Sequence, residues 1–370
     1  MKIVQLVPAM EQGGVERGVV EMNRELVKSG HENVVIAAGG RLLETIEKDG
    51  GRVIRLDVKS KNPFTYFSRA YALRKVLAAE KPDVVDVHSR VPAWLFVWAN
   101  RKLHLPWISF AHGANSISTY SKVMTFGTLT VTPSRYIADY LKNAYGLEEE
   151  KIRVIPRAID RERFDIEKLD QDFIEAKRTE WGVADKKVIM GVGRITQLKG
   201  YDTLIRATAI VKQNFPALKT VIVGEAEALR KDVEADLHAL VKELELEDTV
   251  VFAGNQSKVA ECLSLADVVV SSNTRKPEAF GRSMAEALAM NKPVVATAFG
   301  GALDIVEPGK NGELVAINNP DAAHFAAAIE KALSTAYGDV RTPALEKFSF
   351  ERMVKTSLEV YDECSKCHLS

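Results

Sequence analysis

The stretch Arg275-Lys-Pro-Glu-Ala-Phe-Gly-Arg-Ser-Met-Ala-Glu-Ala-Leu-Ala-Met290 lies between two apolar runs, residues 266–271 and 293–297. Short, mostly apolar runs of this kind predict strands buried on both faces, as in a parallel sheet. Residues 283–290 predict a short helix between the two strands. Glu278, Phe280 and Gly281 then fall in a strand-to-helix loop at the carboxyl end of a parallel sheet, where open α/β sheets bind ligands. The amides of Gly281, Arg282 and Ser283 open the helix, and a helix N-terminus favours a phosphate. Glu286 follows Glu278 by eight positions and sits in the first helical turn. Two readings stand on these residues alone. Ser283 and Glu286 also have the spacing of a capping box, and Glu278 also reads as an ordinary loop carboxylate.

Outward from this stretch the same alternation continues. Apolar runs at 2–7, 34–38, 53–56, 84–88, 107–111, 129–132 and 152–155 predict seven strands, separated by amphipathic segments such as 15–29 and 64–80. Charge takes over at 157–172, where a linker is expected. Strands resume at 187–192, 220–223, 249–252, 266–271, 293–297 and 313–315, with helices at 201–214 and 229–244 between them. Strand–helix alternation implies doubly wound, mostly parallel sheets. The expected organisation is two Rossmann-like α/β domains, 1–160 and 173–348, facing across a cleft. A turn at Thr342-Pro343 precedes an amphipathic helix over 349–363, which is expected to cross back onto the first domain.

A chain of 370 residues exceeds one ordinary core, so two domains are the natural expectation. Lys+Arg and Asp+Glu balance at 50 each, yet residues 1–160 hold 23 basic against 17 acidic side chains. The basic half suits an anionic partner such as a lipid surface or a phosphorylated acceptor, and it is also within ordinary scatter. No apolar run has the length to span a bilayer, and the amino terminus reads as a strand rather than a signal peptide. A cytoplasmic protein is expected, with any membrane contact peripheral; three cysteines suit a reducing compartment. Cys364-Ser-Lys-Cys367-His368 spells a haem-attachment pattern, read as coincidence in a chain without an export signal.

Three further loops carry chemistry. Gly13-Gly14, after the first strand, permits close backbone approach to a ligand, though a plain tight turn has the same composition. His112, with Gly113 after it, stands just past a buried strand. Gly193-Arg194-Ile-Thr-Gln-Leu-Lys199-Gly200 sets two cations at a strand's carboxyl end, placed to neutralise a diphosphate leaving group or, on the plainer reading, to face solvent. Its glycine spacing excludes a Walker A loop, and the first turn lacks the dinucleotide fingerprint. Asp170-Gln-Asp172, a paired-carboxylate motif that can hold a divalent ion, lies in the charged stretch and reads as solvated surface.

Taken in order, Gly13-Gly14-Val-Glu16, His112-Gly113, Gly193-Arg194-x4-Lys199-Gly200 and Glu278-x7-Glu286 resemble the retaining glycosyltransferases of family 4, which have the GT-B fold. Smaller echoes are 154–160, 223–225 and Gly300-Gly-x2-Asp304. Ser60-Lys-Asn-Pro63, Ser89-Arg-Val-Pro-Ala-Trp94 and Tyr120-Ser-Lys-Val-Met124 look like a bacterial subgroup associated with lipopolysaccharide or surface-glycan assembly. The resemblance implies a nucleotide-sugar donor and a glycan or lipid-linked acceptor, with no nucleic-acid partner, no cofactor and no metal. It implies that Arg194 and Lys199 bind the donor diphosphate, with the backbone of Phe280, Gly281, Arg282 and Ser283. Glu286 would hold the ribose, Glu278 the transferred sugar, and Gly254-Asn255-Gln256 would lie near the base. His112 would sit by the donor sugar, and Gly13-Gly14 would let their loop close on the diphosphate. Front-face displacement, with the leaving phosphate accepting the acceptor's proton, is the mechanism implied. Arg157-Ala158 departs from the family's frequent Asn-Gly, and Asp304 from its frequent Glu. A sugar epimerase or phosphorylase of the same fold and a non-catalytic nucleotide-sugar-binding protein are the rival readings; no stretch suggests the lysine that a phosphorylase needs for pyridoxal phosphate.

Overall fold

The computed structural model describes every residue except 12, 228–230, 319–320 and 368–370. Two expectations touch those residues: the start of the helix at 229 and His368 of the haem-like motif lie outside the described residues. The chain divides into two units, Met1–Arg157 with Phe350–Ser370, and Ala158–Ser349.

The first unit holds a seven-stranded sheet in the order β3-β2-β1-β4-β5-β6-β7, all parallel. Its strands are β1 Lys2–Leu6, β2 Glu32–Ala37, β3 Arg52–Arg55, β4 Val84–Val87, β5 Trp107–Phe110, β6 Leu129–Thr132 and β7 Ile152–Val154. The second unit holds a six-stranded parallel sheet, β10-β9-β8-β11-β12-β13, from β8 Lys187–Val192, β9 Leu218–Val223, β10 Val250–Gly254, β11 Val268–Ser271, β12 Val294–Thr297 and β13 Gly312–Val315. Each sheet reverses winding once, between β1 and β4 and between β8 and β11. The loops that follow these four strands therefore open at a topological switch point, where the two crossovers leave a crevice.

The apolar runs become strands because helices cover both faces, leaving no side for polar alternation. Val85, Val87, Leu73, Leu77 and Phe96 share one core of the first unit, and Met190, Val269, Val294, Met284 and Leu288 one core of the second. All thirteen expected strands form, with ends shifted by one or two residues.

Two expectations differ from the structure. The charged stretch after Arg157 is no free linker. Ile159, Phe164 and Ile174 are buried in the second unit's core, and the Ile159 N–H donates to the Phe348 carbonyl at 2.8 Å. Its charges dominate the composition, but Ile159 and Phe164 between them, and Ile174 just beyond, anchor it. Thr342-Pro343 is not a turn but lies in the short helix Arg341–Lys347, which tolerates proline in its first turn. Asp339 fixes that start by accepting from the amides of Arg341 and Thr342. The D-x-D lies at the surface, as expected, and Asp170 has a further role there as the N-cap of helix Gln171–Glu180: it accepts from the Phe173 amide at 3.0 Å and pairs with Lys258.

The terminal helix Phe350–Lys366 belongs to the first unit. Its buried stripe includes Met353, Val360, Tyr361 and Cys364. Glu363 receives Arg153 of β7, and the Tyr361 hydroxyl donates to Asp86 of β4 at 3.0 Å.

Candidate functional site

In the second unit the loops after β8 and β11 are stitched together before any ligand is considered. The Ser272 hydroxyl donates to the Gly200 carbonyl at 2.8 Å, and the Arg275 guanidinium donates to the Gln197 carbonyl at 2.9 Å. Tyr201, buried, donates its hydroxyl to the Gly193 carbonyl at 2.9 Å, and burial first and the Glu278 charge second push its ionisation well up, so it stays a donor. This packing carries Lys199 across Gly193: a Cβ at 193 would stand 3.0 Å from Lys199 Cε. The Lys199 ammonium meets the Glu278 carboxylate, which also accepts from Asn273 Nδ2 at 3.0 Å. Both charged side chains are about a quarter exposed. Burial alone would raise the Glu278 carboxyl, but the Lys199 charge and the hydrogen bonds from Lys199 and Asn273 outweigh it and hold the carboxyl below its ordinary value. Glu278 is thus a fixed anion beside a fixed cation.

The segment behind Glu278 is anchored by backbone. The Gly301 N–H donates to the Glu278 carbonyl at 2.7 Å, and Phe280 is buried edge-on against Phe348. Gly281, at φ +100°, makes the turn into helix Arg282–Ala289, a conformation that disfavours any residue with a Cβ. Gly281, not Ser283, is the helix N-cap, and no side chain caps this end. The capping box open on spacing alone is therefore not formed: Ser283 lies inside the helix, two positions past the cap. The first helical bond runs from the Met284 N–H to the Gly281 carbonyl, which leaves the amides of Arg282 and Ser283 outside the helix's own ladder. Glu286 is mostly buried and accepts from Arg282 Nε at 3.1 Å.

Not every expected residue converges. The Arg194 guanidinium is three-quarters exposed and pairs with Glu227, apart from the Lys199–Glu278 pair. Asn255 is exposed just past β10, two strands from β8. Asn273, Ser272 and Tyr201, which position the pair, went unread in the sequence; adjacency to the motifs was their only signal.

In the first unit Gly13 is the N-cap of helix Gly14–Lys28. A Cβ on Gly14 would meet no atom within 4 Å, so the unit's own packing does not demand glycine there. His112, just past β5, lies in a row of polar side chains. Arg157 Nη2 is 2.7 Å from His112 Nδ1, His112 Nε2 is 2.9 Å from His88 Nδ1, and His88 Nε2 is 3.3 Å from Asp86 Oδ2, which also accepts from Tyr361. Arg157 can only donate, so His112 Nδ1 must accept. The His112 proton then sits on Nε2 and is donated to His88, whose own proton is left on Nε2, facing Asp86. Arg157, which can only donate, thereby sets both tautomers from its end of the row. Burial first, then the Arg157 charge and the proximity of the His88 ring, hold His112 well below its ordinary value, so it is neutral. Its ring stacks on Phe110 at 4.3 Å. Beside this row is a cavity of about 20 Å³, the room of one water, lined in part by His88 and Asp86. His88 Nε2 and Asp86 Oδ1 make no hydrogen bond within the protein.

Of this row, only His112 was legible from local sequence. Gly18 makes it possible: a Cβ there would stand 2.2 Å from Arg157 Nη1. Arg157, a departure from the resembled family, is thus built into the environment of His112.

Residues 12–163 match the model of "Glycosyltransferase Family 4", and residues 173–342 that of "Glycosyl transferases group 1". An uncharacterized glycosyltransferase of Methanocaldococcus jannaschii is 28% identical over 91% of this chain and 90% of its own. The lipopolysaccharide core biosynthesis glycosyltransferase LpsE of Rhizobium meliloti is 28% identical over 87% of this chain and 86% of its own. Among solved structures, a glycosyltransferase from Rickettsia africae superposes with a TM-score of 0.87 at 28% identity, covering 98% of both chains. An Anabaena protein solved in complex with UDP-glucose gives 0.79 at 22% identity, covering 98% of this chain and 100% of its own, a likeness of fold.

Proposed function

Because the chain belongs to the family 4 glycosyltransferases, we propose that it moves a sugar from a nucleoside diphosphate donor, with retention of configuration, to a glycan or lipid-linked acceptor. The observation that carries this reading is the Lys199–Glu278 pair set over Gly193 at the switch point of the second sheet. A nucleotide-sugar donor is further supported by the UDP-glucose complex of the Anabaena protein. Surface-polysaccharide assembly is supported by the similarity to LpsE.

In the transfer, negative charge develops on the departing diphosphate. Lys199 and the amides of Arg282 and Ser283 are groups whose interaction strengthens as that charge grows, and only such interactions accelerate the step. Glu278 holds Lys199 in place and, as a fixed anion, meets the transferred sugar where positive character develops. Glu286 accepts from the ribose hydroxyls. Arg194 turns from Glu227 to the diphosphate. His112, neutral and with both nitrogens engaged, is a rigid wall beside the sugar rather than a proton carrier. That leaves the leaving phosphate to take the acceptor's proton, as front-face displacement requires. The reaction runs without a metal, since lysine and helix amides supply the charge stabilisation and Asp170 of the D-x-D is committed to its helix cap and Lys258.

The test is a thermal-shift screen across UDP, ADP, GDP and their sugars, followed by turnover of the stabilising donor with and without candidate acceptors. A ligand that binds the native state raises its melting temperature. Release of free nucleoside diphosphate with an α-linked product from an α-linked donor is expected. Donor binding without turnover under any acceptor would instead mark a nucleotide-sugar-binding protein, and an inverted product would refute retention.

A further inference from the structure

The first unit carries a surface that the transfer chemistry leaves unused. The turn Pro63–Thr65 opens helix Tyr66–Glu80, and Phe64 at its tip is 95% exposed. Phe67 is 63% exposed and packs edge-on to Trp98 of helix Arg90–Asn100, with ring centroids 5.6 Å apart. Trp94 of the same helix stacks near Tyr120 and meets Phe126 edge-on, at 6.5 and 6.0 Å. Tyr66, Phe67, Trp94, Tyr120 and Lys61 line an open groove of about 520 Å³ between these elements. The result is one aromatic patch running from the Pro63 turn to Phe126.

The exposure of Phe64 is built into the turn. Asn62 Oδ1 accepts from the Phe64 N–H at 3.0 Å. Arg69, buried behind the turn, donates to the carbonyls of Asn62 at 3.0 Å and Thr65 at 3.2 Å. Polar contacts on the inner side lock the backbone while the ring stands in solvent.

The charge of the patch has one sign. Residues 58–79 contain five Lys or Arg and residues 87–134 contain four, and neither segment contains an Asp or Glu. Arg74 lies over Trp98 at 4.5 Å and Arg90 over Tyr120 at 5.4 Å, so cations sit among the rings themselves.

We propose that this surface docks the protein on an anionic lipid bilayer. Exposed Phe rings at the rim have no polar tip, which suits the acyl boundary rather than the hydroxyls of a glycan. Trp and Tyr behind them favour the headgroup level. The lysines and arginines complement an anionic surface, and no carboxylate within either segment opposes them. The described helices include none long and apolar enough to cross a membrane, so the contact is interfacial. This assignment of a partner stands apart from the transfer reaction and is measured separately from it.

The experiment is co-sedimentation of the full chain with phosphatidylcholine vesicles, with and without phosphatidylglycerol, alongside a nucleoside-diphosphate thermal shift on the same samples. Binding is expected only to the vesicles that contain phosphatidylglycerol, weakening in high salt. Phe64→Ser with Phe67→Ser should lower partitioning roughly tenfold or more, and Lys61→Gln with Lys122→Gln roughly fivefold per lysine. Both variants change exposed positions and should keep the wild-type melting temperature and nucleotide response. Equal binding to both vesicle types, no binding to either, or undiminished binding by the Phe64–Phe67 variant would each overturn the proposal. So would a lipid-free oligosaccharide that quenches tryptophan fluorescence, with the quench lost in Trp94→Leu, while anionic vesicles leave the protein in solution. Loss of vesicle binding leaves the nucleotide response intact, so the two readings fail independently.

Discussion

Glu278→Gln probes the pair at the centre of the second unit. The substitution keeps the shape and the Asn273 hydrogen bond but leaves the Lys199 ammonium without its counter-charge. A hydrogen bond to a charged group contributes about 1.5–3 kcal/mol. Both partners are about a quarter exposed, and solvent screening reduces the expected loss to about 1–2 kcal/mol. For a unit the size of Ala158–Ser349, that is a fall in Tm of about 2–8 °C at neutral pH. The sign with pH follows from the direction of the Glu278 shift. Its folded-state pKa lies below the ordinary 4.5, so its stabilisation is fully present above 4.5 and is lost as pH falls through the folded-state value. Wild type and variant should therefore converge in acid. Calorimetric scans of both proteins across that range make the measurement. Nucleoside diphosphate added at neutral pH gives the functional half. Lys199, no longer held by a carboxylate, should bind the diphosphate at least as tightly in the variant, while sugar transfer falls roughly a hundredfold. A pH-independent difference in Tm would refute the electrostatic account, and weaker diphosphate binding would refute the placement of Lys199 at the phosphates.

Three other outcomes are expected. Transfer activity should survive excess EDTA; complete loss restored by magnesium or manganese would sink the metal-free reading. Glu286→Gln should lower nucleotide affinity about tenfold, since a charged acceptor becomes a neutral one, and should discriminate less than wild type against the 2′-deoxy nucleoside diphosphate by titration calorimetry; equal discrimination would remove Glu286 from the ribose. The His112 folded-state pKa lies well below 6.5, so the neutral ring's stabilisation is full above 6.5 and is lost as pH falls from there toward the folded value. Nitrogen NMR should show the Nε2–H tautomer and no titration near 6.5, and a midpoint at or above 6.5 would contradict the Arg157–His112–His88 chain.

The amino-acid sequence alone determined the strands, their parallel pairing and the loops that carry the donor-side motifs. Those features are local: a mostly apolar run between turn residues specifies a strand covered on both faces, and Gly193, Lys199, Glu278 and Gly281 lie beside the strands that present them. It also left two readings of Glu286 open, because Ser-x-x-Glu spacing is satisfied whether or not the serine is the helix N-cap. Tertiary structure decided that question through Gly281, whose positive φ starts the helix two residues before Ser283. Only the tertiary structure brought Lys199 to Glu278, 79 positions apart, and only it assembled Asp86, His88, His112, Arg157 and Tyr361 into one row of polar side chains. Charge misled at 157–172, where Ile159 and Phe164 pack into the second unit although their neighbours read as a linker. The physical reason is the same in each case. Periodicity records which face of an element is buried, whereas the direction of a hydrogen bond between distant loops depends on where the folded backbone places them.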